Sequence, residues 1–316
     1  MKSLVLTGVL SAAEKLKIGS NRQHKFRLGI WLLVLMASYS HAAIVNNNHI
    51  YQLSDTMNQK VVALTKSKGK NHADVELPIF LDKLPIHLYA KSLDVYDQIR
   101  RLSESSQLEE KQLPFKTLRP KDVLDLLAEA STVLDQELQA VNIDPSGFEV
   151  ELPLGKTAAD VYQNLWLLTY NLALLVPPPD MGDTLAQIQR IEDEIKIIAK
   201  SKSLSFQAPL TKSVSNKNVR DVLLVLYQDM HLLGRLQRKL GTEAIIPGTP
   251  RSGELKITDI YDTARNTLAD LHRMKTALTI EESAPTGKSM SSATMNDLYT
   301  KARSIHDVLL SLSQAS

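Results

Sequence analysis

The 316-residue chain contains no cysteine. That excludes disulfides, thiolate chemistry and a lipid-modified cysteine behind a secretory signal, so the fold must be held by packing alone. It also lacks any Asn-x-Ser/Thr acceptor, which together with the missing cysteine fits a bacterial periplasm better than a eukaryotic extracellular space. No Gly-x-Ser-x-Gly elbow and no His-Glu-x-x-His zinc motif is present. Gly155-Lys156-Thr157 and Gly287-Lys288-Ser289 mimic the tail of a phosphate loop, but the upstream glycine is missing and no strand precedes either. The sequence therefore predicts no catalytic residue, no cofactor site and no metal site.

What the chain does have is a recurring helix-start signature: Asp94, Asp122, Asp160, Asp221, Asp259 and Asp297, each followed by an apolar residue and then Tyr or Leu. Asp122 to Asp160, Asp221 to Asp259 and Asp259 to Asp297 are each 38 residues apart, which points to internal repetition. Thr157, Asn218 and Thr294 stand three residues before an Asp, as N-caps before an acidic N3 that faces the positive end of the helix dipole. Pro120 falls at a first helical position, although Arg119 is a poor cap.

Apolar stripes at helical spacing, Ile50 to Leu64 and Val123 to Val141, predict two helices. Further helices fit 86–106, 157–176, 183–202, 217–240, 257–279 and 293–314. In 157–176 the residues Val161, Leu165, Trp166, Leu168 and Leu172 leave almost no polar face, so this helix should be buried on most sides. The expected fold is all-α: a helical bundle of two related four-helix units in tandem, 43–178 and 180–316, with long proline-containing interhelical loops. Loops of this length leave up-and-down and partly parallel arrangements both open.

Before these units, Lys25 and Arg27 precede an apolar run, Leu28–Met36, and small residues through Ala42. This reads as a secretory signal over 1–42, cut after Ala42, giving a periplasmic or secreted protein; an uncleaved inner-membrane anchor is the alternative. Without residues 1–42 the chain carries 31 Lys/Arg against 34 Asp/Glu, so a nucleic-acid role has no basic footprint.

The tyrosines of the signature are first of all half-buried rings, but Tyr162, Trp166 and Tyr170, or Tyr261 and Tyr299, are candidates to line a pocket between helices. The loops repeat a proline followed by a cation, as in Pro114-Phe-Lys116 and Pro153-Leu-Gly-Lys156, and hold Phe80, Phe115, Phe148 and Phe206. These phenylalanines are expected to pin loops onto helix ends; Phe115, Lys116, Phe148 and Phe206 are the alternative anchors for a partner. Asp180 and Asp183 read as a solvated turn and helix cap. Glu192, Asp193 and Glu194 read as a charged solvated face, with Glu192 and Lys196 paired toward solvent. His231, His272 and His306, one per helix, read as surface or boundary histidines.

The function expected from these features is a non-catalytic exported binding protein whose partner is another envelope protein or envelope component, with membrane contact only if the N-terminal segment stays attached. A small-molecule receptor is the alternative, and a hydrolase using His272 with a carboxylate the remote third.

Overall fold

A computed structural model describes residues 44–314 except 73–74, 104–107, 207–213, 245–246, 249–252, 286 and 288. The proposed signal segment lies outside the described residues. Among those described there are eight α-helices and no strand: α1 Asn47–Ser67, α2 Pro85–Leu102, α3 Pro120–Ala140, α4 Ala158–Leu172, α5 Met181–Ser201, α6 Val219–Lys239, α7 Ile257–Ala277 and α8 Met295–Gln314, with a 3-10 turn at Pro145–Phe148. No helix among them is long and apolar enough to cross a membrane.

The helices begin as their sequence dictates. Asp160, Asp221 and Asp297 occupy N3 behind the caps Thr157, Asn218 and Thr294, and each carboxylate takes the backbone N–H of its cap at 2.8, 3.0 and 2.8 Å. Asp122 and Asp259 do the same for Arg119 and Lys256, both at 2.7 Å, so the missing side-chain cap is half replaced. Asp180 caps α5 and Asp183 is its N3 residue. The repeat also extends to two starts that carry no Asp. His49 and His87 sit at N3 of α1 and α2, 38 residues apart, and their Nδ1 atoms accept the cap N–H. Asp94, by contrast, lies in the middle of α2 and is no helix-start residue.

Two hydrophobic cores result. α1–α4 surround one, with Ile50, Met57, Leu88, Val95, Leu127, Leu134, Val161 and Leu165 at its centre. α5–α8 surround the other, with Ile188, Ile195, Val222, Leu236, Ile260, Leu298 and Leu309. In each group the first and second helices both pack against the third and fourth. No residue of α4 is exposed. Its Asn164 and Asn171 face α1 and form a buried ladder: Asn164 donates to Ser54 Oγ (2.8 Å), Asn58 to Asn164 Oδ1 (2.9 Å) and Asn171 to Asn58 Oδ1 (3.2 Å). Buried amides of this kind fix the register between two helices.

Within a group the helices run parallel. Asn48 near the start of α1 accepts from the Lys156 N–H just before α4, while Lys70 beyond the end of α1 donates to the Leu174 carbonyl beyond the end of α4. Leu118, leading into α3, packs with Ile86 and Ala90 at the start of α2. In the second group Lys217 N–H meets Asn296, His306 meets Asp229 and Lys239 meets the Leu312 carbonyl, again start to start and end to end. The return segments must therefore travel the length of a helix. Residues 70–72 and 75–83 do so beside α4, passing Leu174, Asn171, Gln163 and Tyr162 in turn.

The carboxylates of α5 are not the solvated face that the sequence predicts. Glu192 and Glu194 are both buried, and only Asp193 points outward. Adjacent residues do diverge on a helix, but α5 has neighbours on two sides. Glu194 turns toward α7, where the buried Lys275 lies 2.6 Å away, and Glu192 toward α8, held by Lys301 as well as Lys196 at 2.8 Å.

Two glycines allow the segment before α8 to lie against α5. A Cβ on Gly182 would stand 2.5 Å from the Met290 carbonyl oxygen, and one on Gly287 2.7 Å from that of Ala186. This accounts for the Gly287-Lys288-Ser289 triplet without a phosphate. Gly182→Ala is expected to destabilise the protein by about 1–3 kcal/mol through backbone displacement; chemical denaturation of the variant with an unchanged midpoint would show that the two segments are not packed this way.

Candidate functional site

The residue pattern that stands apart from ordinary core packing lies where α2 meets α7. Each helix already gives an apolar stripe to its own core, and each presents a second, polar stripe to the other. From α2 and its lead-in come Lys83, His87, Lys91 and Asp94; from α7 come Asp262, Arg265, Asn266 and Asp270. Ile86, Ala90, Leu118 and Ala269 supply a small apolar cluster between them.

Lys91 is paired with Asp262 at 2.7 Å and lies 3.8 Å from Asp94. Arg265 donates to Asp94 at 3.1 Å and to the Ala90 carbonyl at 3.4 Å. Burial raises the Asp94 carboxyl above its ordinary range, against the opposing pull of Arg265 and Lys91. Arg265 is held firmly charged: burial works against its charge, but Asp94, Tyr261 and Asp97 together outweigh it. His87 accepts the Leu84 N–H at Nδ1, which puts its proton on Nε2, 3.2 Å from Asp270. One imidazole thus joins the start of α2 to the seam.

Beside this network is a cleft of about 100 Å³, lined by Pro78–Leu81, Lys83, Trp166, Leu223, Tyr227, Met230, Leu255 and the polar side chains of Asp259, Asp262, Thr263 and Asn266. Lys83 lies over the Tyr162 ring at 4.3 Å and donates to Asn266 Oδ1 at 3.3 Å. Burial depresses its ammonium to about 8, with Asp270 and Asp262 opposing. Asn266 in turn donates to the Tyr162 hydroxyl at 2.8 Å.

Of the predicted pocket residues, Tyr162 and Trp166 border this region. Tyr162 is buried, edge-on to Phe80 at 4.7 Å, and burial drives its phenol well above its usual range. Tyr170 is stacked on Trp166 at 5.6 Å. Tyr261 is half-buried on α7, its phenol also raised by burial. Tyr299 lies on α8 under Lys217, 4.3 Å from its ring. α7 and α8 do not pack together, so Tyr261 and Tyr299 do not line a common pocket. Two signature tyrosines, and Tyr51 at the equivalent place after His49, share one surrounding: a lysine just before a helix cap covers the ring of a neighbouring helix, as Lys83 does for Tyr162, Lys156 for Tyr51 at 4.0 Å and Lys217 for Tyr299.

Among the loop residues, Phe80, Phe148 and Phe206 are half-buried against the cores. Phe115 stays 38% exposed and touches the His272 ring edge-on. Lys116 is exposed and paired with Asp122 at 2.5 Å. The histidines are dispersed. His231 is exposed, His306 bonds Asp229 at 3.0 Å, and His272 is buried and bonded to the Pro114 carbonyl at 3.1 Å, with burial lowering its pKa. Among the described residues no three His, Asp or Glu side chains converge as metal ligands.

The sequence reading missed Lys83, His87, Lys91, Asp262, Arg265, Asn266 and Asp270, and placed Asp94 in the wrong role. One signal was available: Asp262, Arg265, Asn266, Ala269 and Asp270 follow helical spacing on the face of α7 opposite its core stripe. No family model, curated protein or solved structure matches the chain.

Asp94→Ala leaves Arg265 and Lys91 short of a buried counter-charge and is expected to cost about 3–5 kcal/mol; a loss below 1 kcal/mol in urea unfolding would mean the seam is hydrated. Lys83 carries a second expectation. Its folded pKa lies below the ordinary lysine value, so between about pH 8 and 10.5 the unfolded chain binds more protons and stability gains as pH rises through that window. Lys83→Met should remove that gain relative to the wild type; parallel stability curves for the two proteins would show the ammonium to be solvated.

Proposed function

We propose that this is an exported, non-catalytic interaction protein, built from two related four-helix units, 43–178 and 180–316, that presents loop ends of its first unit to another envelope protein or envelope component. One observation carries the reading. Of the large apolar side chains left exposed, Leu77, Ile79, Leu81, Phe115, Leu152 and Leu154 all lie in segments leading into α2, α3 and α4. Because those helices run parallel, their starts share one end, to which the three lead-ins return, with Ile79 and Leu81 also bordering the seam cleft. Apolar residues concentrated at one end of a protein with a packed interior are what a binding surface requires. The matching helix order and direction in the two groups support a duplication. Export rests on the sequence of residues 1–42 and membership of the envelope on that export.

A receptor reading draws on the seam cleft beside Tyr162 and Trp166. Its volume of about 100 Å³ is well below the ~300–1,000 Å³ of sites for drug-sized ligands. It suits a small ligand or one end of a larger one, and a stoichiometric mass excess in native mass spectrometry would favour it.

The loop-end reading is tested by photo-crosslinking in intact cells, with the reactive amino acid placed at position 154 or, as a control, at Lys68 beyond the end of α1. Adducts to protein or lipid specific to position 154 are expected. Equal labelling at the two positions would remove the loop ends as a binding surface.

A further inference from the structure

We propose that Lys83 is a covalent capture site, whose amine condenses in the seam cleft with a small apolar aldehyde to give an imine. The inference rests on the receptor reading of that cleft, names its ligand class and does not depend on the loop-end surface. Lys83 differs from the lysines of the interior in one respect. Lys60, Lys91 and Lys275 are buried, and each has a carboxylate oxygen within 2.7 Å, from Asp135, Asp262 and Glu194. Among the described residues Lys83 has no carboxylate within ion-pair distance. Its one hydrogen bond goes to Asn266 Oδ1 at 3.3 Å, and the rings of Tyr162 and Phe80 lie 4.3 and 5.6 Å from its nitrogen. With burial depressing the ammonium to about 8, about a quarter of Lys83 is neutral amine at pH 7.5, against roughly 0.1% of an ordinary lysine.

The lining of the cleft selects what meets that amine. Ile79, Leu223, Tyr227, Met230 and Leu255 give it apolar walls. Asp259 and Asp262 also line it, so an anionic ligand meets like charge, while a cationic one meets Lys83 itself. A neutral ligand remains, and one that carries an electrophilic carbonyl on an apolar body uses both the amine and the walls. The cleft, at about 100 Å³, has two-thirds of the ~150 Å³ that accommodates benzene, room for an aldehyde of roughly three to five carbons. Ile79 and Leu81, 86 and 59% exposed, place its mouth at the protein surface.

The chemistry balances without a redox partner. The Lys83 nitrogen bonds to the carbonyl carbon as the C=O π pair moves to oxygen, and one N–H proton passes to that oxygen, giving a carbinolamine. The nitrogen lone pair then expels the hydroxyl group, which takes a proton from solvent and leaves as water. Amine, aldehyde and one proton thus give a protonated imine and water. The product keeps the positive charge at the nitrogen, where Asp270 and Asp262 already act on Lys83 as opposing charges. The carboxylates that disfavour an anionic ligand favour this product.

The full chain is incubated at pH 7.5 with 3-methylbutanal and cyanoborohydride, which reduces the imine to a stable amine, and the adducts are located by peptide mass mapping. The first adduct is expected at Lys83, formed at least about tenfold faster than at the exposed Lys68. That preference should fall when the polar glycolaldehyde replaces 3-methylbutanal, since the apolar walls then contribute nothing. Lys83→Arg should abolish the fast adduct and leave the slow ones unchanged. Asn266→Asp sets a carboxylate beside the nitrogen and should bring Lys83 down to the rate of Lys68, with helical circular dichroism retained. Labelling of Lys83 no faster than of Lys68 in the folded chain would overturn the inference. So would an equal preference with both aldehydes, which would remove the cleft as the selecting element, or fast labelling that survives in a folded Asn266→Asp variant. A ligand mass in native mass spectrometry that persists in Lys83→Arg would retain the receptor reading and remove the covalent step.

Discussion

Parallel packing within each group of four helices is the constraint from which most of the architecture follows. A helix of 21 residues is about 31 Å long. If the next helix is to run the same way, the chain must first travel back that far. Six of the connections, such as 68–84, 141–157 and 202–218, contain 17 residues each. They need to cover less than 2 Å per residue, well within the ~3.3 Å of an extended chain, which leaves slack for turns such as Pro145–Phe148. Helix plus return gives the 38-residue period seen in the sequence. The exception confirms the geometry: 173–180 has only eight residues, begins a new group and needs no return.

Parallel helices align their dipoles, and neighbours that would offset one another in an up-and-down bundle do not. An acidic N3 residue at six of the eight starts places negative charge against the converging positive ends. The same side chain closes the cap N–H, so one position serves electrostatics and hydrogen bonding together. His49 and His87 perform only the second task, and His87 uses its other nitrogen at the seam. Without disulfides, long-range order is carried by buried polar groups as well as by apolar packing: the Asn58–Asn164–Asn171 ladder, the Glu194–Lys275 pair and the Lys91–Asp262–Asp94–Arg265 network. Such groups add little net stability over an apolar core, but mispairing any of them is costly, and that favours one register.

The all-helical class and most helix limits were legible because core stripes and caps are local in sequence. Val123, Leu127, Ala130, Leu134 and Leu138 repeat at helical spacing, and all are buried. The direction of neighbouring helices was not legible, since a 17-residue loop permits either sense. The seam was hidden for a different reason. A polar stripe reads as a solvent face unless the partner helix is known, and neither Lys91 nor Asp262 carries a local mark of its pairing. The same error turned Glu192 and Glu194 outward. Asp94 was misread because an Asp followed by an apolar residue and Tyr resembles the helix starts, although its 28-residue distance from Asp122 breaks the period.

The seam and the lead-in end place different demands on the molecule. At the seam, Lys91 and Asp262, and Arg265 and Asp94, are paired within one hydrogen-bond length and the cleft beside them is small, an arrangement that holds two helices in fixed relation. In the lead-ins Leu77, Ile79, Leu81, Leu152 and Leu154 stay exposed while Phe80 and Phe148, from the same kind of segment, are drawn onto the core. The chain therefore has the means to bury such residues and does so at some positions and not at others. Loops of identical length differ in what they expose, and among the described residues of the second group only Leu224 and Met290 are comparably exposed. That asymmetry between the two groups is not required by the fold. In the proposed reading it distinguishes the group that offers a surface from the group whose helix α7 packs against α2.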